Sequence, residues 1–305
     1  MGGFFCWGCG MVKSNSIGVM GGDARSAYLA NALCTAGYEV HAMFLDSPKL
    51  AEGVRRTPDF RDALPFCSAL VLPTPVARTG LELNAPSWPA HRSRDIGQFL
   101  EDVGKTTLVL GGGFSPEVRR AFAQRELRFV DLMERDDLAL ANAVPTAEGA
   151  VTMAMERMEI TISGCHSCVV GCGRCGRTLA RLLAAMGAQV TVTARRPQQL
   201  DWIAGQGWEP LDTGKLAQEA HRWDVLFNTV PAPVVDQAVL EALAPGAVVI
   251  DLASPPGGTD FAYAAQRGIC AVLAPGLPGR VAPRTAGLIL RDVLLPIFQE
   301  RGIHP

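Results

Sequence analysis

Residues 165-176 read Cys165-His166-Ser167-Cys168-Val169-Val170-Gly171-Cys172-Gly173-Arg174-Cys175-Gly176. The last six match G-x-G-x-x-G, and the pattern stands where its physics requires, after an apolar strand over 168-171 and before helical spacing over 174-186. Gly171 permits the tight turn, Gly173 lets backbone approach a pyrophosphate, and Gly176 allows the helix to lie close on the strand. The helix start then offers free N-H groups and the positive end of the peptide dipole to phosphate oxygens. With Gly187 and a second strand over 189-194 in place, the stretch predicts a dinucleotide site made by Gly171, Gly173, Arg174, Cys175 and Gly176. Glycines kept only for packing are the other reading.

The end of the second strand chooses between nicotinamide cofactors. An NAD site usually closes it with Asp or Glu for the ribose 2'-OH, whereas here it ends in Thr193-Ala194-Arg195-Arg196. Arg195 and Arg196 can clamp a 2'-phosphate, so NADP is preferred and NAD is the alternative. Further strands over 225-228, 247-252 and 270-274 extend the sheet. Their carboxyl ends line the ligand crevice of such a sheet, which brings Thr229, Val230, Pro231, Leu252 and Ala253 to the nicotinamide half. Two Gly/Pro-dense loops follow, over 254-260 and 275-280. They are read as stiff loops with exposed N-H groups suited to an anion, or as plain connections.

Upstream, strands over 17-20, 39-45, 69-72, 106-110 and 127-130 alternate with helices over 24-36, 94-103 and 116-124. A long helix over 146-158, starting after Pro145, joins the halves, and a tail helix over 284-300 remains. The expected fold is α/β: two Rossmann-like doubly wound parallel-sheet domains with an interdomain cleft, the C-terminal helix packing back on the first domain. The expected divisions are a disordered extension over 1-15, an N-terminal flavodoxin-like or Rossmann-like domain over 16-145 together with 284-305, and an NADP-binding Rossmann domain over 146-283.

Composition narrows the function classes. The 305 residues carry 28 Lys plus Arg against 30 Asp plus Glu, a net charge of -2, so no basic face for nucleic acid is expected. No run approaches ~20 apolar residues, so no bilayer span is expected, and residues 1-10 lack the basic n-region of a signal peptide. The default location is the cytoplasm, where nine cysteines stay reduced. Six of them form the pairs Cys6/Cys9, Cys165/Cys168 and Cys172/Cys175. No metal is expected: Cys168 and Cys172 bracket a strand at about 3.3 Å per residue, roughly 13 Å apart and too far to share one ion. Cys175, near a helix start, is expected to have a lowered pKa and to be the thiol most easily oxidised. His41, His91, His166, His221 and His304 lie outside both Gly/Pro loops, which fits poorly with a hydroxy-acid dehydrogenase that uses a late catalytic His.

Several stretches resemble one family: Gly21-Gly22-Asp23-Ala24-Arg25, Glu134-Arg135-Asp136-Asp137-Leu138-Ala139, Asn142-Ala143-Val144-Pro145-Thr146-Ala147-Glu148-Gly149, the Gly171 to Gly176 fingerprint, Asp251-Leu252-Ala253-Ser254 with Pro256-Gly257-Gly258-Thr259-Asp260-Phe261, and Ala274-Pro275-Gly276-Leu277-Pro278-Gly279. Together they are similar to the A subunits of dipicolinate synthases, over residues 16-295. The resemblance implies an enzyme of endospore-forming bacteria, in the mother-cell cytoplasm, that works with a flavoprotein-like B subunit. It implies NAD(P)-dependent oxidation of dihydrodipicolinate, or of its hydroxylated tetrahydro precursor, to dipicolinate. For this small dicarboxylate substrate the candidate cations are Arg25, Arg135 and Arg280, beside backbone donors of Gly257-Gly258 and of Gly276 to Gly279. Glu148 or Asp260 is favoured over Asp23 as proton acceptor. An NADP-dependent dehydrogenase of shikimate or amino-acid type, a non-catalytic NADP-binding scaffold, and a homo-oligomer all stay open.

Overall fold

The computed structural model describes residues 15-89 and 92-305. The extension expected over 1-15 lies outside the described residues except for Asn15, and so do Cys6, Cys9 and His91. The chain divides into two compact units, Met1–Leu138 with Pro283–Pro305, and Ala139–Ala282.

The first unit begins with β1 (Ser16–Met20), α1 (Ala24–Thr35) and β2 (Glu39–Met43). It continues through β3 (Arg55–Arg56), β4 (Ala69–Val71), the hairpin β5 (Ala77–Thr79) and β6 (Glu82–Leu83), α2 (Ile96–Leu100), β7 (Leu108–Gly111), α3 (Pro116–Gln124) and β8 (Phe129–Asp131). The division between the units falls in the first turn of α4 (Asp136–Met155). Every residue of β1 is buried, the mark of a parallel strand covered on both faces. Asp23 starts α1 by accepting the Arg25 N-H at 2.9 Å, and Ser115 starts α3 by accepting the Val118 N-H at 3.3 Å. Among the described residues the six parallel strands run in the order β3-β2-β1-β4-β7-β8.

The second unit repeats the plan with β9 (His166–Val170), α5 (Arg174–Ala185), β10 (Gln189–Ala194), α6 (Pro197–Gly205), β11 (Glu209–Asp212), α7 (Leu216–Glu219), β12 (Val225–Asn228), α8 (Gln237–Ala242), β13 (Val248–Asp251), α9 (Phe261–Gln266), β14 (Cys270–Leu273) and α10 (Leu277–Val281). Its order, β11-β10-β9-β12-β13-β14, again places two strands on one side of the first strand and three on the other, the doubly wound arrangement that binds dinucleotides. Val169, Phe227 and Ile250 are completely buried beneath it; each stabilises the unit by about 1.5–3 kcal/mol relative to exposure. The tail helix α11 (Pro283–Glu300) returns to α1 in the first unit, as expected. Gly287 makes that contact close: a Cβ there would stand 2.8 Å from the Arg25 carbonyl oxygen.

The two parallel-sheet domains are as the sequence predicts; several elements differ. The helix expected over 146-158 is α4, which starts ten residues earlier and holds Pro145 inside it. Asp136 and Asp137 place carboxylates in its first turn, where the helix dipole favours them, and Thr146 Oγ1 bonds the Asn142 carbonyl at 2.7 Å beside the proline. The Gly/Pro stretch expected as a loop over 275-280 contains α10, because burial of Leu277 and Pro278 fixes that turn. The short strands β3 and β11 and the hairpin β5-β6 are additions.

Candidate functional site

The turn between β9 and α5 needs each of its glycines for a different reason. Gly171 has φ +103°, and a Cβ there would stand 2.7 Å from Thr229 Oγ1 and 2.8 Å from Val230 Cγ2. Thr229 holds its own place by donating from its N-H and its hydroxyl to the Val170 carbonyl, at 3.0 and 2.8 Å. A Cβ on Gly176 would overlap the Gly171 carbonyl oxygen, so only glycine lets α5 approach the turn. Gly173 is the opposite case: a Cβ there would meet nothing within 4 Å, and no side chain caps α5. Open space beside an uncapped helix N-terminus fits a pyrophosphate. Arg174 is exposed on the first turn of α5. Arg177 donates to the Cys172 carbonyl at 3.0 Å and stacks 4.1 Å from the Trp202 ring, which braces the turn from the side.

Arg195 and Arg196 follow β10 and are exposed, with no side-chain hydrogen bond or ion pair among the described residues. Asp212, the last residue of β11, lies level with Ala194. It is an acid at the neighbouring strand end that inspection of β10 alone passes over. Its carboxylate accepts the Gly214 N-H at 2.8 Å within its own turn.

The carboxyl ends of β12 and β13 meet through two buried polar side chains. Asn228 donates from Nδ2 to the Val230 carbonyl and to Asp251 Oδ2, both at 3.0 Å, and accepts the Val230 N-H at 3.0 Å. Asp251 accepts the N-H groups of Ala253 and Gly258, at 2.9 and 2.8 Å, and the Thr259 hydroxyl at 2.6 Å. The loops bearing Thr229, Val230, Pro231, Leu252 and Ala253 are thereby joined. Both residues stand at strand ends in the sequence, but no pattern in it announces that they bond.

Three of the expected substrate donors of the Gly/Pro loops are occupied. The Gly257 N-H donates to the Ser254 carbonyl at 2.9 Å, the Gly258 N-H to Asp251, and the Gly279 N-H to the Gly276 carbonyl at 3.2 Å. These three N-H groups serve the local structure rather than a ligand. Asp260 accepts the Tyr263 N-H at 2.9 Å as the cap of α9. Glu148 is exposed on α4, its carboxylate without a partner among the described residues. Arg25 is bonded along both carboxylate oxygens of Asp23 and donates to the Thr74 carbonyl at 2.9 Å. Arg135 holds Asp137 through two bonds, at 3.0 and 2.6 Å. Arg280, exposed on α10, has no side-chain partner among the described residues.

Cys175 departs from expectation. Burial pushes its thiol up, while the Thr146 side chain and the Arg174 charge pull it down by less. Desolvation therefore outweighs the helix start, and the expected low pKa is absent. Cys165 is pushed up to about 11 and Cys168 well above the ordinary thiol value, both first by burial. Among the described residues no group of three His, Cys, Asp or Glu could hold a metal ion, and no helix is long and apolar enough to cross a membrane.

Comparison with known proteins connects this geometry to a family. Residues 16–133 match the N-terminal domain of the dipicolinate synthase A subunit, and residues 139–255 match the D-isomer specific 2-hydroxyacid dehydrogenase NAD binding domain. The dipicolinate synthase A subunit of Bacillus subtilis (strain 168) is 35% identical over 293 residues, covering 95% of this chain and 98% of that one. The chain belongs to the family of dipicolinate synthase A subunits. The crystal structure of the member from Bacillus halodurans superposes with a TM-score of 0.87 at 37% identity, over 94% of this chain and 99% of that one. The member from Bacillus subtilis gives 0.83 at 35% identity, over 94% and 96%. As a member of this family with a dehydrogenase-type cofactor domain, the chain is an NAD(P)-dependent oxidoreductase that uses a nicotinamide cofactor.

Proposed function

We propose that this chain oxidises dihydrodipicolinate to dipicolinate with NADP, together with a flavoprotein-like B subunit, in the mother-cell cytoplasm of a sporulating bacterium. The observation that carries the reading is the likeness to a dipicolinate synthase over 95% of the chain, in a molecule whose Gly171 to Gly176 turn leaves room for a pyrophosphate. Dihydrodipicolinate needs to lose only a hydride and a proton to become an aromatic pyridine, so aromatisation drives the reaction. When bound, NADP supplies the hydride acceptor. The first turn of α5 holds the pyrophosphate, and Arg195 and Arg196 take the 2'-phosphate, their guanidiniums having no other partner among the described residues. Of the proposed acids, Glu148 receives the proton, since the Asp260 carboxylate already serves α9. Of the arginines, Arg280 binds a substrate carboxylate, since Arg25 and Arg135 already hold Asp23 and Asp137.

The test is mass spectrometry of a mixture of chain, B subunit, NADP and freshly made dihydrodipicolinate. Dipicolinate, lighter than the substrate by two hydrogens, should accumulate at a rate proportional to the chain. Equal accumulation without the chain would count against the proposal.

A further inference from the structure

We propose that Asp251 is the positioning residue for the nicotinamide half of the cofactor, acting through Asn228, Gly258 and Thr259. The proposal rests on the dinucleotide reading of the Gly171 to Gly176 turn and adds a residue that the glycine fingerprint does not contain.

Asp251 is fully buried at the end of β13. Its Oδ1 accepts the Ala253 N-H, and its Oδ2 accepts Asn228 Nδ2, the Gly258 N-H and the Thr259 hydroxyl. Every partner is a donor, so the pocket is built around an acceptor-only side chain. No cation pairs with it among the described residues. Burying a carboxylate without a counter-charge is costly unless several donors hold it, and four do so here.

What those four bonds fix is the crevice wall. The Gly258 carbonyl accepts the N-H groups of Val234 and Val235, at 3.1 and 2.9 Å, so the loop after β13 is tied to the loop after β12. A Cβ on Gly258 would overlap the Ala232 carbonyl oxygen and stand 2.6 Å from Asn228 Nδ2. The two loops therefore have one arrangement, set from beneath by Asp251. They stand at the carboxyl ends of strands in a doubly wound sheet, on the β12-β13 side of the Gly171 to Gly176 turn, where the nicotinamide half belongs. The adenosine half belongs beside β10, which makes no bond with Asp251. A device that shapes one end of a ligand site should change affinity for that end alone.

Asp251→Asn keeps the size and turns one acceptor into a donor; Thr259→Val removes the shortest bond and Thr259→Ser keeps it. The probes are NADPH and 2'-phospho-ADP-ribose, which lacks the nicotinamide ring, titrated into the full chain by calorimetry. Asp251→Asn and Thr259→Val should bind 2'-phospho-ADP-ribose as the wild type does and lose affinity for NADPH by about tenfold or more, while Thr259→Ser stays near wild type. Unchanged NADPH affinity in both variants overturns the proposal, as does an equal loss for both probes, which marks a role in the fold alone. Should Asp251→Asn fail to fold, Thr259→Val decides the question in the same way. Wild-type chain that binds neither probe instead removes the dinucleotide reading on which the proposal stands.

Discussion

The carbonyl oxygen of Gly171 fills the space where a side chain on Gly176 would begin, while the space beside Gly173 holds no atom within 4 Å. One glycine is therefore required by the fold and the other by what the fold binds. Gly176→Ala should cost stability of about 1–3 kcal/mol through overpacking and should also weaken NADPH binding. Gly173→Val should leave the thermal midpoint near wild type and remove NADPH binding. Thermal melts and NADPH titrations of both variants check this; a Gly173 variant that binds NADPH normally would contradict it.

Arg195 and Arg196 are cations at the end of β10 without a partner among the described residues, and a 2'-phosphate is the group they fit. Replacing both with Ser should weaken NADPH roughly ten- to hundredfold, the worth of one or two charge-assisted hydrogen bonds, and leave NADH almost unchanged. Equal effects on the two cofactors would mean that both arginines serve only as surface charge. Asp212, level with Ala194, is then the residue to inspect for the ribose.

What the sequence reveals and conceals here follows from range. The turn is visible because each glycine answers a local requirement, and the strands because buried parallel strands such as Ser16–Met20 are continuous apolar runs. The edge strands Arg55–Arg56 and Glu209–Asp212 escape because they are short and largely exposed, carry no continuous apolar run, and exist by pairing with a neighbour. The start of α4 is hidden by Pro145, which reads as the residue just before a helix although it is the tenth residue of this one. The Asn228 to Asp251 bond joins residues 23 positions apart and depends on the parallel register of β12 with β13, which no short pattern encodes.

Glu209 provides a pH-dependent check on the second unit. The hydrogen bond from Arg222 holds its carboxyl below the ordinary range, helped by the Thr191 hydroxyl and the Arg222 charge against a smaller effect of burial. A lowered folded pKa gives stability that is present above the unfolded value of about 4.3 and lost as pH falls through the folded value. The difference in urea midpoint between wild type and Glu209→Gln should thus be widest near neutral pH and close as the solution is made acidic. A difference that does not change with pH would contradict the assignment.

Desolvation pushes the thiol pKa of the half-buried Cys175 up, whereas Cys270 is exposed. Iodoacetamide labelling read by peptide mass spectrometry should modify Cys270 well before Cys175, and a mild thiol oxidant should leave NADPH affinity intact. Loss of affinity that tracks modification of Cys175 would restore the opposite view.

The central claim, that this family member moves a hydride from a dihydropyridine dicarboxylate to NADP, is tested most directly by absorbance at the reduced-nicotinamide band. NADP, freshly made dihydrodipicolinate and the chain are mixed with and without the B subunit. The account predicts NADPH formed in step with dipicolinate in at least the mixture that holds the chain together with its partner, and none with Gly173→Val. Dipicolinate formed in both mixtures with no NADPH would contradict it.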